Sequence, residues 1–208
     1  SDKVHIRPLM RTYEWSVWSQ DEQKFSCKSV QRPTLSGEFP DNAGGNKCGR
    51  LTRAEEDALP DDDPRVVLSQ SVNCNQVIYG VLDAPDATAA DGSATPLENV
   101  PFMAYFKRSG FRPVREFIDQ QLTRRKILMQ KAVIELSTEK KKNGSVIFWT
   151  PKLSLVKEVS ISEEDKNLIK LFGETVKGHN ESVMTEYKAA IKMSMNDEDL
   201  DLAQRFAS

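Results

Sequence analysis

Alternating apolar and polar residues near the start of the chain predict two β-strands. Tyr13, Trp15 and Val17 are separated by single polar residues, which is the two-residue period of a strand. A polar turn follows, and residues 24–30 are predicted to return as the second strand. In this register Trp18 faces away from Trp15, so one of the two tryptophans is expected to be buried and the other exposed.

The middle of the chain predicts three more strands and one helix. Residues 65–70 and 75–82 are mainly apolar and predict a strand pair, and the aromatic segment 100–106 predicts another strand. After Pro113, apolar residues recur three and four positions apart, which is the period of a helix buried along one face. Because proline is tolerated in the first turn of a helix, the spacing predicts an amphipathic helix over 113–125.

Two apolar runs on either side of Asn143-Gly144 predict a hairpin, since this dipeptide favours tight turns. Pro151 has no N–H to donate, so the returning strand is expected at the edge of a sheet or to bulge there. Beyond it, Ser162 precedes three acidic residues, a pattern typical of a helix N-terminus. An apolar stripe follows and predicts a helical hairpin that is interrupted at 178–180.

These elements predict an α+β fold: a small antiparallel OB-like β-barrel with long loop insertions and a C-terminal helical segment. The segment before the second strand pair is rich in Pro, Gly, Asp and Asn, and within it Thr52–Ala58 is predicted to form a short capped helix. The predicted domains are an OB-like nucleic-acid-binding domain over 1–160 with a loop insertion at 31–64 and a mobile linker at 83–99, a C-terminal helical segment over 161–194, and an acidic tail over 195–208.

Charge is distributed unevenly along the 208 residues, although the net charge is only −2. Residues 38–99 contain four basic and twelve acidic residues, whereas residues 100–158 contain thirteen basic and five acidic residues. A chain that is nearly neutral overall can bind a polyanion if its basic residues gather on one surface. The alternative is that the acidic and basic segments intermingle in the folded protein, which would leave no surface with an excess of positive charge.

The sequence contains no membrane-spanning or secretory pattern. No stretch approaches the ~20 apolar residues of a membrane helix, and the first residues lack the apolar core of a signal peptide. Three widely spaced cysteines, an odd number, do not indicate a disulfide framework. We therefore expect no membrane association and a cytoplasmic location, which is the host cytoplasm if the protein is phage-encoded.

Basic and aromatic residues, most of them in the middle of the chain, form the candidate nucleic-acid site. Single-stranded nucleic acid needs cations along its phosphates and flat rings for its bases, each stacked base contributing about 1–3 kcal/mol. The residues predicted to contact phosphates are Lys107, Arg108, Arg112, Arg115, Arg124, Arg125, Lys126, Lys140, Lys141 and Lys142. The residues predicted to stack on bases are Trp15, Trp18, Tyr105, Phe148 and Trp149. The alternatives are burial in the core for each aromatic residue and a solvated surface for each charged cluster.

The cysteines Cys27, Cys48 and Cys74 are candidate metal ligands. Three thiolates in a loop-rich region can hold a structural zinc ion together with a fourth ligand. The usual Cys-x-x-Cys spacing is absent, because Leu51 stands where a second thiol would follow Cys48. Free, partly buried thiols are the alternative, and we expect that no cofactor is required.

One short pattern suggests an enzyme. Glu139-Lys140-Lys141 fits the Glu-x-Lys dyad of metal-dependent nucleases, with Pro60-Asp61 upstream. The pattern falls at the predicted hairpin tip, where a rigid metal site is not expected. We therefore expect no enzymatic activity.

The C-terminal tail combines acidic residues with an aromatic residue close to the end of the chain. Such a tail can bind a basic, apolar pocket of another protein or cover the chain's own basic groove. The residues predicted to bind a partner are Asp197, Glu198, Asp199, Asp201 and Phe206. A solvated terminus is the alternative.

The order of these motifs resembles that of phage-encoded single-stranded DNA-binding proteins and their uncharacterised relatives. A strand with two tryptophans is followed by SCKS, NKCG and VNCNQVIYG, then by PFMAYF, a helix, and paired strands around KKKNGS and FWTPKL. The resemblance covers most of residues 10–190 and implies an OB-type core with long insertions. It also implies four metal ligands, of which the three cysteines match three and Leu51 departs from the fourth. The tail is similar to the partner-binding tail of bacterial single-stranded DNA-binding proteins.

The function expected from these features is non-enzymatic binding of single-stranded DNA during phage DNA replication or recombination. Replication or recombination proteins are the expected partners of the acidic tail, and self-association is a further expectation. The alternative is a phage protein-interaction module that binds a host polymerase, nuclease or defence protein. In that case the acidic segment 38–99 would be the working surface.

Overall fold

A computed structural model of the protein describes residues 3–194. The fold is α+β, as predicted, with an antiparallel sheet and a long C-terminal helix. The strands are β1 (Lys3–Ser19), β2 (Lys24–Lys28), β3 (Asn73–Ala84), β4 (Leu97–Lys107), β5 (Ala132–Asn143) and β6 (Val146–Glu158). The helices are α1 (Arg53–Asp57), α2 (Pro64–Ser71), α3 (Phe111–Glu116), which continues into a π-helical segment at Phe117–Leu122, and α4 (Glu163–Ser194).

The sheet is open, so the predicted closed OB-like barrel is not confirmed. Five strands hydrogen-bond in the order β4-β3-β1-β5-β6, and β2 pairs with β1. Within residues 3–194 the two outer strands, β4 and β6, are not paired with each other, and each contains a proline, Pro101 or Pro151. Because proline cannot donate to a ladder, both positions suit edge strands, and the edge position predicted from Pro151 is confirmed.

The described residues form two compact units that are interleaved in sequence. The first unit comprises residues 3–12 and Asn75–Glu174, and the second comprises Tyr13–Cys74 and residues 175–194. The chain therefore passes between the units three times. The predicted domain boundary at residue 160 remains a prediction.

The core of the first unit lies between the sheet and the segment that contains α3. Apolar residues of β1, β3 and β5, such as Ile6, Ile78 and Ile134, pack there against Val114 and Phe117. Ile118 and Leu122 complete the buried face of that segment. The four apolar positions after Pro113 that predicted one buried helical face are thus all buried, although the last turns are π-helical rather than α-helical.

Helix α4 begins with a capping box and an ion pair. The Ser162 hydroxyl accepts a hydrogen bond from the Asp165 amide at 3.1 Å, and the Asp165 carboxylate accepts one from the Ser162 amide at 2.8 Å. The same carboxylate pairs with the Arg7 guanidinium through two bonds of 2.6 and 2.5 Å. Burial raises the pKa of Asp165, but the hydrogen bonds from Ser162 and Arg7 outweigh it, so the net effect is a lowered pKa.

Two local predictions from the sequence are wrong, for reasons of helix chemistry. Residues 65–70 form most of α2 rather than a strand, because the Asp63 side chain caps the Arg65 amide and Pro64 occupies the first helical position. Helix α4 is continuous through 178–180, where an interruption was predicted. In contrast, the Thr52–Glu55 capping box of α1 is present as predicted.

The second unit contains the β1–β2 hairpin and the loop insertion. Val17, Cys27, Cys48 and Val72 form a small buried cluster there. Residues of α4 hold the insertion from within the same unit: the Asn180 side chain bonds the backbone N–H and C=O of Gln31 at 2.7 and 3.0 Å. The loop is therefore tied to a helix by side-chain hydrogen bonds, which ordered long loops require.

Candidate nucleic-acid interface

The tip of the β5–β6 hairpin is a two-stranded arm. Lys3–Ile6 of β1 pair with Ile134–Ser137 of β5, and the remaining residues of β5 pair with β6 alone in the part of the chain that the structure describes. We call residues 138–151 the hairpin arm. Six residues of β5, Thr138–Asn143, lie beyond the paired region, which corresponds to about 20 Å of strand. Residues 138–147 of the arm are exposed, whereas Phe148 and Pro151 are half-buried and Thr150 is buried.

The strand register places lysines directly opposite aromatic and apolar residues. Lys140 is opposite Trp149, and Lys142 is opposite Ile147, so these four side chains share one face of the hairpin arm. Trp149 is 58% exposed, and Ile147 is exposed as well. Lys141 lies opposite Phe148 on the other face. The turn has a positive φ at Gly144 and not at Asn143.

A groove lies beside the base of the hairpin arm. It has a volume of about 350 Å³ and we call it the Trp149 groove. Its lining residues are Lys3, Val4, Phe106, Leu136, Ser137, Thr138, Trp149, Thr150 and Pro151. Apolar walls with a few hydroxyl groups and one lysine are typical of pockets that bind small organic groups.

Further predicted cations lie along the same strand, β6. The turn Arg108–Gly110 and helix α3 pack against β6, and a Cβ atom placed on Gly110 would lie 3.7 Å from the Cδ atom of Pro151. Arg125 lines a cavity of about 180 Å³ together with residues 153–155 of β6. The structure therefore brings residues from each of the three basic segments, 107–115, 124–126 and 140–142, to β6.

Ion pairs divide the predicted cations into two groups. Arg112 pairs with Glu116 at 2.6 Å, Arg115 with Asp119 at 3.4 Å, and Lys141 with Glu139 at 2.7 Å. The hydrogen bond from Lys141 and its charge lower the pKa of Glu139. Both groups are therefore charged at physiological pH, and the carboxylate offsets the positive charge of Lys141. Among the described residues, the predicted cations that are exposed and make no ion pair are Lys107, Arg124, Arg125, Lys126, Lys140 and Lys142.

The predicted stacking residues differ in their surroundings. Tyr105 is half-buried on β4 and does not line the Trp149 groove, which its neighbour Phe106 does. Phe148 is half-buried on the second face of the hairpin arm, whereas Trp149 beside it is exposed. This pair therefore differs in exposure, as the strand period predicts.

Trp15 and Trp18 belong to the second unit. Trp15 is half-buried, and its ring makes an edge-to-face contact with Phe39 at 6.5 Å between centroids. Trp18 is 36% exposed and contacts Phe25 edge-on at 4.9 Å. Trp15 is thus mainly a packing residue, whereas Trp18 keeps an exposed surface, and its role in binding remains a prediction.

The cysteines do not meet as the sequence suggested. Cys27 and Cys48 lie together with Asp41, their ligand atoms all within 4.8 Å of one another, and Cys74 is outside this group. Asp41 was not among the predicted ligands, because no His- or Cys-type spacing marks it. The only signal was the turn-forming segment Asp41-Asn42-Ala43-Gly44-Gly45, which indicates a carboxylate that caps backbone amides.

The predicted acidic tail and the acidic segment 38–99 are not part of the Trp149 groove or the hairpin arm. The tail residues Asp197, Glu198, Asp199, Asp201 and Phe206 lie outside the residues that the structure describes. Residues 38–99 are divided between the two units. Among the helices described, none combines the length and the apolar character needed to cross a membrane.

Three residues of the Trp149 groove were not among the predicted site residues. Phe106, Thr138 and Lys3 line the Trp149 groove although they come from three different strands. Their approach depends on long-range strand pairing, which no local pattern encodes.

Comparison with known proteins adds no further identification, since no family model, curated protein or solved structure matches the chain.

Proposed function

We propose that this protein binds single-stranded DNA along β6 and the hairpin arm. The observation that supports this most directly is the Lys140–Trp149 pair, a cation and a largely exposed ring on the same face of a solvent-accessible arm. Packing does not account for an exposed tryptophan on an arm of two strands. A ligand with negative charges and flat rings does.

In the proposed complex, one base stacks on Trp149 and extends over the Trp149 groove. Lys140 and Lys142 contact the adjacent phosphates from the same face, whereas Lys3, which lines the groove, already pairs with Glu135 at 3.1 Å. Farther along β6, the Arg108 turn and Arg125 extend the positively charged surface. The residues between 147 and 155 span about 26 Å of strand, which is a length suited to a few nucleotides.

The ion pairs indicate which of the predicted cations contribute most to binding phosphates. A lysine that already pairs with a carboxylate loses that partner when it binds phosphate, so its net contribution to affinity is small. Lys141, Arg112 and Arg115 therefore contribute less than Lys140 and Lys142. A closed barrel is not needed for this mode of binding, because the ligand lies on the arm and on an exposed strand.

The remaining expectations from the sequence are part of the same proposal. Coating of DNA during phage replication or recombination is the biological role, the acidic tail binds a replication or recombination protein, and the protein is not an enzyme. A structural zinc ion was implied by the family resemblance. The structure groups two of the three predicted ligands, Cys27 and Cys48, with Asp41 in place of Cys74.

Fluorescence anisotropy of labelled oligo-dT, measured with the full chain over a salt series, tests the proposal. Affinity is expected to fall steeply as salt rises, because bound phosphates release their counterions. Negligible binding at low salt would refute it. Binding of one host protein that survives nuclease treatment, together with no oligonucleotide binding, would favour the protein-interaction alternative instead.

A further inference from the structure

Two thiols and a carboxylate from three separate segments meet in the second unit. Cys27 lies on β2, Asp41 lies in the turn of the loop insertion, and Cys48 lies in a short 3₁₀ turn, with exposed fractions of 8%, 1% and 4%. Their ligand atoms are all within 4.8 Å of one another. A tetrahedral ion with bonds of about 2.0–2.3 Å separates its ligands by about 3.3–3.8 Å, so small side-chain rotations suffice to enclose one.

The backbone around Cys48 is bent in an uncommon way. Lys47, Cys48 and Gly49 have φ values of 54°, 53° and 78°, so three successive residues lie in the left-handed region. Only glycine adopts this conformation without strain, and strained non-glycine residues often occur at ligand sites. Here the bend places the Cys48 amide 2.7 Å from the Asp41 carboxylate and brings the Cys48 thiol into the group.

Asp41 is held in place but keeps capacity for a ligand. Its Oδ1 atom accepts hydrogen bonds from the Ala43 and Gly45 amides at 3.1 and 3.0 Å, and its Oδ2 atom accepts one from the Cys48 amide at 2.7 Å. Each carboxylate oxygen has two lone pairs, so Oδ2 retains one. Glycine suits position 45 in this turn, because a Cβ atom there would lie 3.2 Å from Oδ2.

We propose that Cys27, Cys48 and Asp41 bind one divalent ion of the zinc class, such as Zn²⁺ or Co²⁺, through two sulfur atoms and one oxygen atom. Two thiolates favour these borderline ions over Mg²⁺ and Ca²⁺, which prefer oxygen ligands. Binding displaces the two thiol protons, which go to solvent. The Cys48 thiol donates a hydrogen bond to the Trp15 carbonyl oxygen at 3.4 Å, and binding of the ion would replace this bond.

The site would act structurally. Both cysteines belong to the small cluster with Val17 and Val72, so an ion there joins the β1–β2 hairpin to the loop insertion. Structural zinc ions are almost always tetrahedral, so a water molecule would have to supply the fourth ligand here. The inference does not depend on the proposed DNA binding, because these residues belong to the second unit and the arm belongs to the first.

The test uses the full chain, purified under reducing conditions, and measures metal content, Co²⁺ absorption and thermal unfolding. We expect one Zn²⁺ per chain by mass spectrometry, a sulfur-to-cobalt charge-transfer band on Co²⁺ substitution, and a Tm that falls with a chelator and recovers with Zn²⁺. Cys27→Ser, Cys48→Ser and Asp41→Asn should each lower the bound metal at least tenfold at limiting Zn²⁺. Cys74→Ser is the matched control and should bind as the wild type does.

Several results would overturn the proposal. One is a reduced wild-type chain with no charge-transfer band and a Tm that neither chelator nor Zn²⁺ changes. A second is equal loss of metal in Cys74→Ser. A third is a disulfide between Cys27 and Cys48 in the native chain, since it would consume both thiols. The wild-type measurements decide the question even if the variants fail to fold.

Discussion

Lys140 and Trp149 lie directly opposite each other on β5 and β6, so the ammonium group and the indole ring share one face of the hairpin arm. This relationship depends on register: a slip of one residue would place Trp149 opposite Lys141 or Glu139 and change its face. The pairing therefore determines which lysines are beside the exposed ring. It is also the basis of the first two predictions.

Replacing Trp149 by alanine should weaken oligo-dT binding roughly 5- to 150-fold, since a stacked base contributes about 1–3 kcal/mol. Trp18→Ala is the matched control, because Trp18 is also exposed but belongs to the second unit. Anisotropy titrations of both variants measure the effect. Equal binding by wild type and Trp149→Ala would remove the arm from the site, whereas a loss in Trp18→Ala would extend the site to the second unit.

Replacing Lys140 and Lys142 by glutamine should reduce the salt dependence of binding. Each phosphate contact contributes about 0.7 to the slope of log K against log salt for single strands, so the double variant should lose roughly 1.4. Lys141→Gln should change the slope less, because Lys141 already pairs with Glu139. Titrations over a salt series measure both slopes. A larger change in Lys141→Gln than in the double variant would contradict the proposed orientation of the arm.

Asp165→Asn should destabilise the first unit most at neutral pH. The pKa of Asp165 is lowered in the folded state, so its carboxylate stabilises the fold above the ordinary value of 3.8, and this contribution is lost as the pH falls through the lowered value. Urea unfolding from neutral to acid pH should therefore show a stability difference between wild type and variant that shrinks at low pH. Glu163→Gln, an exposed residue of the same helical turn, is the control and should change stability far less. A pH-independent difference would argue against this role of the carboxylate.

Two glycines of the first unit should respond to alanine in opposite directions. A Cβ atom on Gly80 would lie 2.3 Å from the backbone oxygen of Arg7, so Gly80→Ala should destabilise the fold by about 1–3 kcal/mol or more. Gly173 lies in α4 with open space around it, and Gly173→Ala should stabilise the fold by about 0.5–1 kcal/mol. Chemical denaturation of both variants measures the changes. A Gly80→Ala variant as stable as the wild type would contradict the close approach of strands at Gly80, whereas a destabilised Gly173→Ala variant would contradict the open space at Gly173.

Local chemistry in the sequence predicted much of the secondary structure. The hairpin around Asn143-Gly144, the edge position of Pro151 and the caps at Thr52 and Ser162 each follow from one or two residues and their neighbours. The strand predicted at 65–70 was wrong because its apolar residues were weighted above the preceding Asp63-Pro64, which begins a helix. A short apolar run is compatible with either a strand or a buried helix, so the helix-capping residues in front of it are the better indicator of its structure.

The candidate sites were predictable only in part, because they depend on contacts between distant segments. Trp149 and the lysines could be selected from composition, but the proximity of Phe106 and Lys3 to Trp149 required the pairing of strands far apart in sequence. In the same way, Cys27 and Cys48 were selected, but Asp41 was not. Whether a sheet closes into a barrel also depends on its two outer strands, and the sequence pattern does not determine their pairing.

The open edge of β6 creates a risk of aggregation that its own sequence limits. Among residues 3–194 no strand pairs with the outer edge of β6, a strand of 13 residues, and such an edge can pair with another extended chain. Pro151 removes one donor from the middle of this strand, and Lys152 and Lys157 place charges along it. Both features discourage pairing of this edge with a second copy of the chain.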